Sequence, residues 1–212
     1  ILYLGLLHKH QIEMQQYDAV IACGNQFMKR FRSANHGINC RNILKTDDIP
    51  ACIKAVYSAP GILNACAAPT GNDRHPQVDL AAQMHRRQFH CVHSVFAHLS
   101  AKTSYPKDMY DASWGFIGGT LFNGYTCGAL IAGIMAIGYH TDKIENSYFR
   151  TFRMTRMMMT GDEAAMADET NHFNISINKG KKLARWFERE FGSTACRDIC
   201  GIDFQTCANG AQ

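Results

Sequence analysis

Thiols are the side chains in this sequence with the most chemistry to offer. Nine cysteines stand at Cys23, Cys40, Cys52, Cys66, Cys91, Cys127, Cys196, Cys200 and Cys207. The count is odd, so full internal pairing is impossible, and the density is below that of a disulfide scaffold. No two are spaced CxxC, which removes the main support for a zinc ribbon or a thioredoxin-type dithiol. No CxxCH occurs, so covalent attachment of a c-type haem has no motif, although ten histidines offer axial ligands.

Three of these thiols sit in informative surroundings. Cys127 heads the apolar run "GYTCGALIAGIMAIGYH" (124–140). The preceding Gly124 and Thr126 place it in the first turn of a helix, where free N–H groups and the dipole favour a thiolate. Gly128 and Ala129 leave backbone N–H groups open to the sulfur, and Ala132, Gly133 and Ala136 permit a close helix approach on one side. Small residues also occur at ordinary helix crossings, so packing alone is an alternative for this cysteine. Cys91 lies in "HCVHSVFAH" beside His90 and His93, with His98 two turns away. It reads either as a ligand or as a buried cysteine on an amphipathic helix. Cys196 and Cys200 are four apart, hence on one helical face. That face can share a metal, form a redox disulfide, or line the core.

Other patterns carry less. The methionines of "RMTRMMMTG" resemble a copper-binding run, but a packed helix explains them as well. "GFIGGT" lacks the lysine and the strand of a phosphate loop. No Ser–His–Asp set or carboxylate pair stands out.

The elements that must position these thiols read as helices. "QIEMQQYDAVIACGNQFMKRFRS" places Ile12, Val20, Phe27 and Phe31 at helical intervals, and "NISINKGKKLARWFEREF" does so with Ile177, Leu183, Phe187 and Phe191. "VDLAAQMHRRQFHCVHSVFAHLSAK" sets Leu80, Met84, Cys91, Val95 and Leu99 near one face. Pro50, Pro60, Pro69 and Pro76 interrupt the N-terminal third, "APTGNDRHP" reads as a loop, and Pro106 closes the Cys91 helix. With 212 residues, 46% of them apolar, the chain can bury a real core. The net charge of +4 gives no strong reason to expect nucleic acid or an anionic membrane. No apolar run approaches the roughly 20 residues that span a bilayer. We expect a cytoplasmic protein; the opening Ile1 leaves room for a removed export signal.

The chain also echoes itself. "GNQFMKRFRSANHGINCRNI" (24–43) aligns without a gap on "GKKLARWFEREFGSTACRDI" (180–199), matching the leading glycines, Phe31 with Phe187, Cys40 with Cys196, Arg41 with Arg197, and the final isoleucines. "ILYLG" (1–5) aligns on "IMAIG" (134–138) at a different offset, which implies about 23 extra residues in the second copy. "RTFRMTRMMMTGDEAAMADET" (150–170) is the candidate insertion, expected as a packed helix followed by a polar loop. Cys23 falls where the second copy has Lys179, so it reads as structural.

"CGALIAGIMAIG", followed later by "FEREFGSTACRDICGIDF", resembles the C-GCAxxG-C-C family of redox-active proteins, whose marks are four spaced cysteines and a CGAxxG core. The resemblance covers roughly Phe89 to Phe204, with a weaker partial copy over Ile1 to Cys66. It implies Cys91, Cys127 and Cys196 as the first three family cysteines, with Cys207 the one cysteine beyond "CRDICGIDF" for the fourth. In the partial copy Cys40 matches the third, and Cys52 or Cys66 the fourth. Two departures stand out: the final glycine of the core is Ala132, and Cys200 follows the third motif. A relative, split-Soret cytochrome c, is a haem protein with an additional iron–sulfur centre, and this chain lacks that haem motif.

From this we expect an all-α helical bundle with an internal, partial duplication: residues 1–68 as the partial copy, 69–77 as a linker, and 78–212 as the complete copy. The leading expectation is a redox or electron-transfer protein holding an iron–sulfur centre of the [2Fe–2S] type through Cys91, Cys127, Cys196 and Cys207. Cys40, Cys66, Cys200, His90 and His93 are secondary candidates. The alternatives are a thiol–disulfide or sulfur-transfer enzyme using Cys127, and a non-catalytic helical subunit whose cysteines pack. A redox partner protein and a homo-oligomer are expected, and nucleic acid and a membrane span are not.

Overall fold

Apolar residues at helical spacing, with few β-branched runs, give a chain of helices. A computed structural model describes residues 2–43, 49–66, 76–141, 152 and 172–204. In chain order the helices are α1 (Leu2–Leu7), α2 (Lys9–Glu13), α3 (Tyr17–Asn35), α4 (Cys40–Ile43), α5 (Ile49–Asn64), α6 (Pro76–Arg86), α7 (Cys91–Leu99) and α8 (Lys107–Ser113). A 3-10 turn (Trp114–Phe116), α9 (Gly128–His140), α10 (His172–Phe191) and α11 (Cys196–Cys200) follow. Among the described residues there is no strand, and the one β-like pairing is an isolated bridge between Thr126 and Ala195. No described helix is long and apolar enough to cross a membrane.

Two apolar clusters hold these helices. The larger gathers Leu4, Tyr17, Val20, Ile21, Cys23 and Cys66 with Val78, Trp114, Leu121 and Phe122, so it draws on both sides of the 69–77 segment. Tyr17 stacks on Trp114 at 5.4 Å and 7°. The smaller joins Val92 and Phe96 of α7 to Ala132 and Ala136 of α9. On the other flank of α9, Gly133 faces Leu183 of α10. The small residues of α9 thus serve two neighbours, where one close approach was expected.

Several breaks differ from the sequence reading. The helix expected over 11–33 is split at Gln15 (φ 59°), and the helix expected over 78–102 is split at Gln88 (φ 52°). Both breaks rest on a glutamine in the left-handed region, which nothing in its residue type announces. The second split puts Leu80 and Met84 against the larger cluster and Cys91, Val95 and Leu99 against the smaller, so they do not share one face. Pro60 lies inside α5 instead of ending it. The turn before it carries the exposed Val56 and Tyr57, where water can take up the carbonyl that loses its partner. Pro50 and Pro76 occupy first turns, which tolerate proline.

The two halves of the sequence echo end alike. α3 stops at Asn35 with His36 left-handed (φ 57°), and α10 stops at Phe191 with Gly192 left-handed (φ 76°). Those positions coincide in the alignment, and Cys40 and Cys196 each open the short helix that follows. The two phenylalanines differ. Phe187 is buried, while Phe31 is half-buried against Phe27. The core face of α3 is its N-terminal half, from Tyr17 to Gly24, and Phe31 lies beyond it. The candidate insertion at 150–170, methionine run included, lies outside the described residues except for Phe152.

The "GFIGGT" stretch becomes the least ordinary backbone in the molecule. Gly118, Gly119, Thr120, Leu121 and Phe122 are consecutively left-handed, with φ of 57°, 68°, 70°, 49° and 57°. Glycine takes this conformation freely, but the other three residues carry a cost of roughly 1–2 kcal/mol each. Leu121 and Phe122 are fully buried, worth roughly 1.5–3 kcal/mol each, which is enough to offset that cost. Long-span bonds close the loop: Leu121 N–H donates to Gly115 O (3.0 Å) and Tyr125 N–H to Gly119 O (2.8 Å).

Candidate functional site

The left-handed loop brings α7, α9 and α11 to one place. Cys91 is the first residue of α7, capped by His90, whose Nδ1 accepts from His93 N–H at 3.4 Å. Its sulfur presses on the start of α9. A Cβ at Gly128 would stand 2.5 Å from Cys91 Sγ and 2.8 Å from Phe116 O, so only glycine fits. Cys127 is the N-cap of α9, one position before the first turn. Its side chain makes no capping bond, and its N–H donates to Thr194 O (2.8 Å).

That last bond belongs to a strap. Residues 194–197 run beside 124–127, with Cys196 N–H donating to Tyr125 O (2.6 Å) and Arg197 N–H to Gly124 O (3.2 Å). Arg197 adds Nε to Gly124 O (3.2 Å) and Nη2 to Asn123 O (3.1 Å), with its guanidinium over the Tyr125 ring. The strap seats Cys196 over the glycine loop, where a Cβ at Gly119 would stand 2.6 Å from Cys196 Cβ. Cys200 follows one turn later, exposed, its S–H donating to Cys196 O at 2.9 Å. Beside the strap opens a cavity of about 550 Å³ lined by Arg32, Tyr125, Arg197 and Asp198. Arg32 donates to the Tyr125 hydroxyl there.

These thiols feel one another. Burial pushes the Cys91 thiol up, a bond from the Gly118 backbone opposes that, and Cys127 adds to the rise. Cys196 is pushed up to about 12, by burial first and then by Cys200, Cys127 and Cys91. Cys91, Cys127 and Cys196 therefore lie near one another although they come from three helices far apart in sequence, and Cys200 adjoins Cys196 alone. Among the described residues no three Cys, His, Asp or Glu side chains close tightly enough to hold a metal ion.

The other candidates lie elsewhere or are otherwise occupied. His90 is buried, its Nε2 bonds Trp114 O (3.0 Å), and burial lowers it to about 3, so it is a neutral ring. His93 stacks on it and bonds Tyr110 O through Nε2 (2.9 Å). Both rings tie α7 to α8 and its 3-10 extension. Cys66 is buried beside Cys23 in the larger cluster. Cys40 opens α4, but its side chain and that of Cys52 are outside the described residues, as is Cys207 entirely. Sequence reasoning did not foresee the Arg197 and Tyr125 strap or the Cys23–Cys66 meeting. Only the match of Arg197 with Arg41 in the echo hinted at the former.

Comparison with known proteins gives one result at the level of families. A model described as "Putative redox-active protein (C_GCAxxG_C_C)" matches residues 89–211, more than half of the chain, and its span takes in Cys91, Cys127, Cys196 and Cys200. No curated protein matches, and no solved structure matches.

Proposed function

The chain belongs to the C_GCAxxG_C_C family of redox-active proteins, and from that premise we propose that Cys91, Cys127, Cys196 and Cys200 are the ligands of an iron–sulfur centre used in electron transfer or redox sensing. The observation that carries this is the gathering of Cys91, Cys127 and Cys196 from three separate helices into one electrostatic neighbourhood, with Cys200 next to Cys196.

The donor set suits such a centre. Thiolates are the usual ligands of iron–sulfur clusters, and a bound metal core strips protons that burial and neighbouring thiols otherwise retain. A nucleophilic cysteine needs the opposite, a lowered pKa, and Cys91 and Cys196 are raised. Among the described residues no three Cys, His, Asp or Glu side chains close on a single ion. A [2Fe–2S] core, with two irons and two sulfides between its ligands, reaches further than a single ion does, so we favour that type. When bound, such a centre supplies one-electron transfer. The chain's own part is positional. The half-buried Cys91 and Gly128 exclude water on the inner side, the strap holds Cys196, and Cys200 offers an exposed edge to a redox partner protein. Cys207 is the other candidate for the fourth place.

Anaerobic reconstitution with iron and sulfide tests this. We expect a coloured protein with iron and acid-labile sulfide in equal amounts, a chromophore lost in Cys127→Ser, and one retained in Cys23→Ser. A colourless protein with every thiol titratable would sink the proposal. One observation favours a second reading, a thiol–disulfide or sulfur-transfer enzyme: Cys127 is the N-cap of α9, at the positive end of the helix dipole. Its signature is a colourless protein with exchange activity that Cys127→Ser removes.

A further inference from the structure

Cys23 and Cys66 have no part in the site just described, yet the fold brings them together across 43 positions of sequence. Cys23 lies mid-way along α3, fully within the larger cluster, and its S–H donates to the carbonyl of Cys66 at 3.3 Å. Cys66 is buried just past the end of α5, its own S–H donating to Ile62 O at 3.2 Å. Arg30, two turns along α3 from Cys23, donates to Ala65 O at 2.7 Å. The end of α5 is therefore fastened to α3 by two hydrogen bonds, one of them from a thiol. Nothing in the family pattern asks for a cysteine at position 23, and its counterpart in the sequence echo is Lys179.

We infer that Cys23 and Cys66 form a second redox couple, a dithiol that closes to a disulfide under peroxide and locks α5 onto α3. The chemistry balances in two steps. Cys66 sulfur attacks a peroxide oxygen, the O–O bond breaks, and a sulfenic acid and one water result. Cys23 sulfur then attacks the Cys66 sulfur, the S–O bond breaks, the second water leaves, and the S–S bond forms. Two electrons pass from the two thiols to the peroxide. Burial pushes both thiols up, but Arg30, bonded to the adjacent Ala65 carbonyl, partly offsets this at Cys66, whereas at Cys23 the neighbouring thiol adds to it, so Cys66 is the first to react. Burial makes the reaction slow compared with oxidation of the exposed Cys200, so the couple responds to sustained oxidant exposure.

The experiment is peroxide treatment of the reduced, full chain, followed by alkylation and peptide mass spectrometry. The expected product is one cross-linked species joining the Cys23 and Cys66 peptides, lighter than their sum by two hydrogens and reversed by dithiothreitol. The oxidised monomer should migrate faster on a non-reducing gel and melt at a higher temperature. Cys23→Ala and Cys66→Ala should each abolish the shift; if either fails to fold, the wild-type peptide map decides by itself. Recovery of Cys23 and Cys66 as separately alkylated peptides, with other cysteines already oxidised, would overturn the inference. So would a cross-link from either one to a different cysteine. Neither result bears on iron binding, which involves different residues.

Discussion

At the scale of single residues, the notable property of the site is that two of its thiols, Cys91 and Cys196, hold their protons. Cys196 is pushed up to about 12 from an ordinary value of 9.0, and Cys91 is raised as well. The folded chain then binds protons more tightly than the unfolded one in the interval between those values. Stability from this source is complete below about pH 9 and drains away as the pH rises toward about 12. Metal-free protein should therefore need progressively less urea to unfold above pH 9, and Cys196→Ala should flatten that dependence relative to wild type. A Cys196→Ala variant with an unchanged alkaline slope would mean that the thiol is not confined as described. The candidate thiols Cys91, Cys127 and Cys196 could be picked out from sequence because sulfur chemistry is scarce and conspicuous. Cys200 was visible as an i, i+4 partner of Cys196, but the place of Cys196 near Cys91 and Cys127 depends on the strap, which no local pattern encodes.

At the scale of elements, the contact of α7 with α9 decides whether Cys91 reaches the site. Gly128 is the hinge of that contact, since a Cβ there meets sulfur, carbonyl oxygen and Val92 at once. Gly128→Ala should destabilise by about 1–3 kcal/mol, as overpacking does, and should impair reconstitution of the centre. Gly138, on the same helix, meets nothing within 4 Å. Gly138→Ala should stabilise by about 0.5–1 kcal/mol through helix propensity alone. Urea melts of the pair check both, and equal effects would refute the packing account. Helical class and the two longest helices were legible, since α3 and α10 repeat their apolar residues at the required interval. The breaks at Gln15 and Gln88 were not, because tertiary packing places ordinary residues in a conformation that sequence associates with glycine. We propose that the matched ends of α3 and α10, each a left-handed residue then a helix opening on Cys-Arg, mark a duplication. An experimental structure should superpose residues 24–43 on 180–199, backbone for backbone.

At the scale of the whole molecule, the family match and the core have different boundaries. The match begins at residue 89, but Trp114, Leu121 and Phe122 are covered by Leu4, Tyr17, Val20 and Ile21. Removing residues 1–75 should leave these side chains bare. A 76–212 fragment should then bind a hydrophobic dye and lose the cooperative urea transition of the full chain; a sharp two-state melt would show that the matched part folds alone.

The strap between residues 194–197 and 124–127 also has a consequence in time. A ribosome releases Cys91 and Cys127 well before the residues that seat Cys196. About 70 further residues must be added, a delay of roughly 4–14 s at ~5–20 residues per second. For that interval the nascent chain presents two thiols without their neighbours. Any cofactor delivery must wait for the strap to arrive, and any premature capture of those thiols would occur within this window.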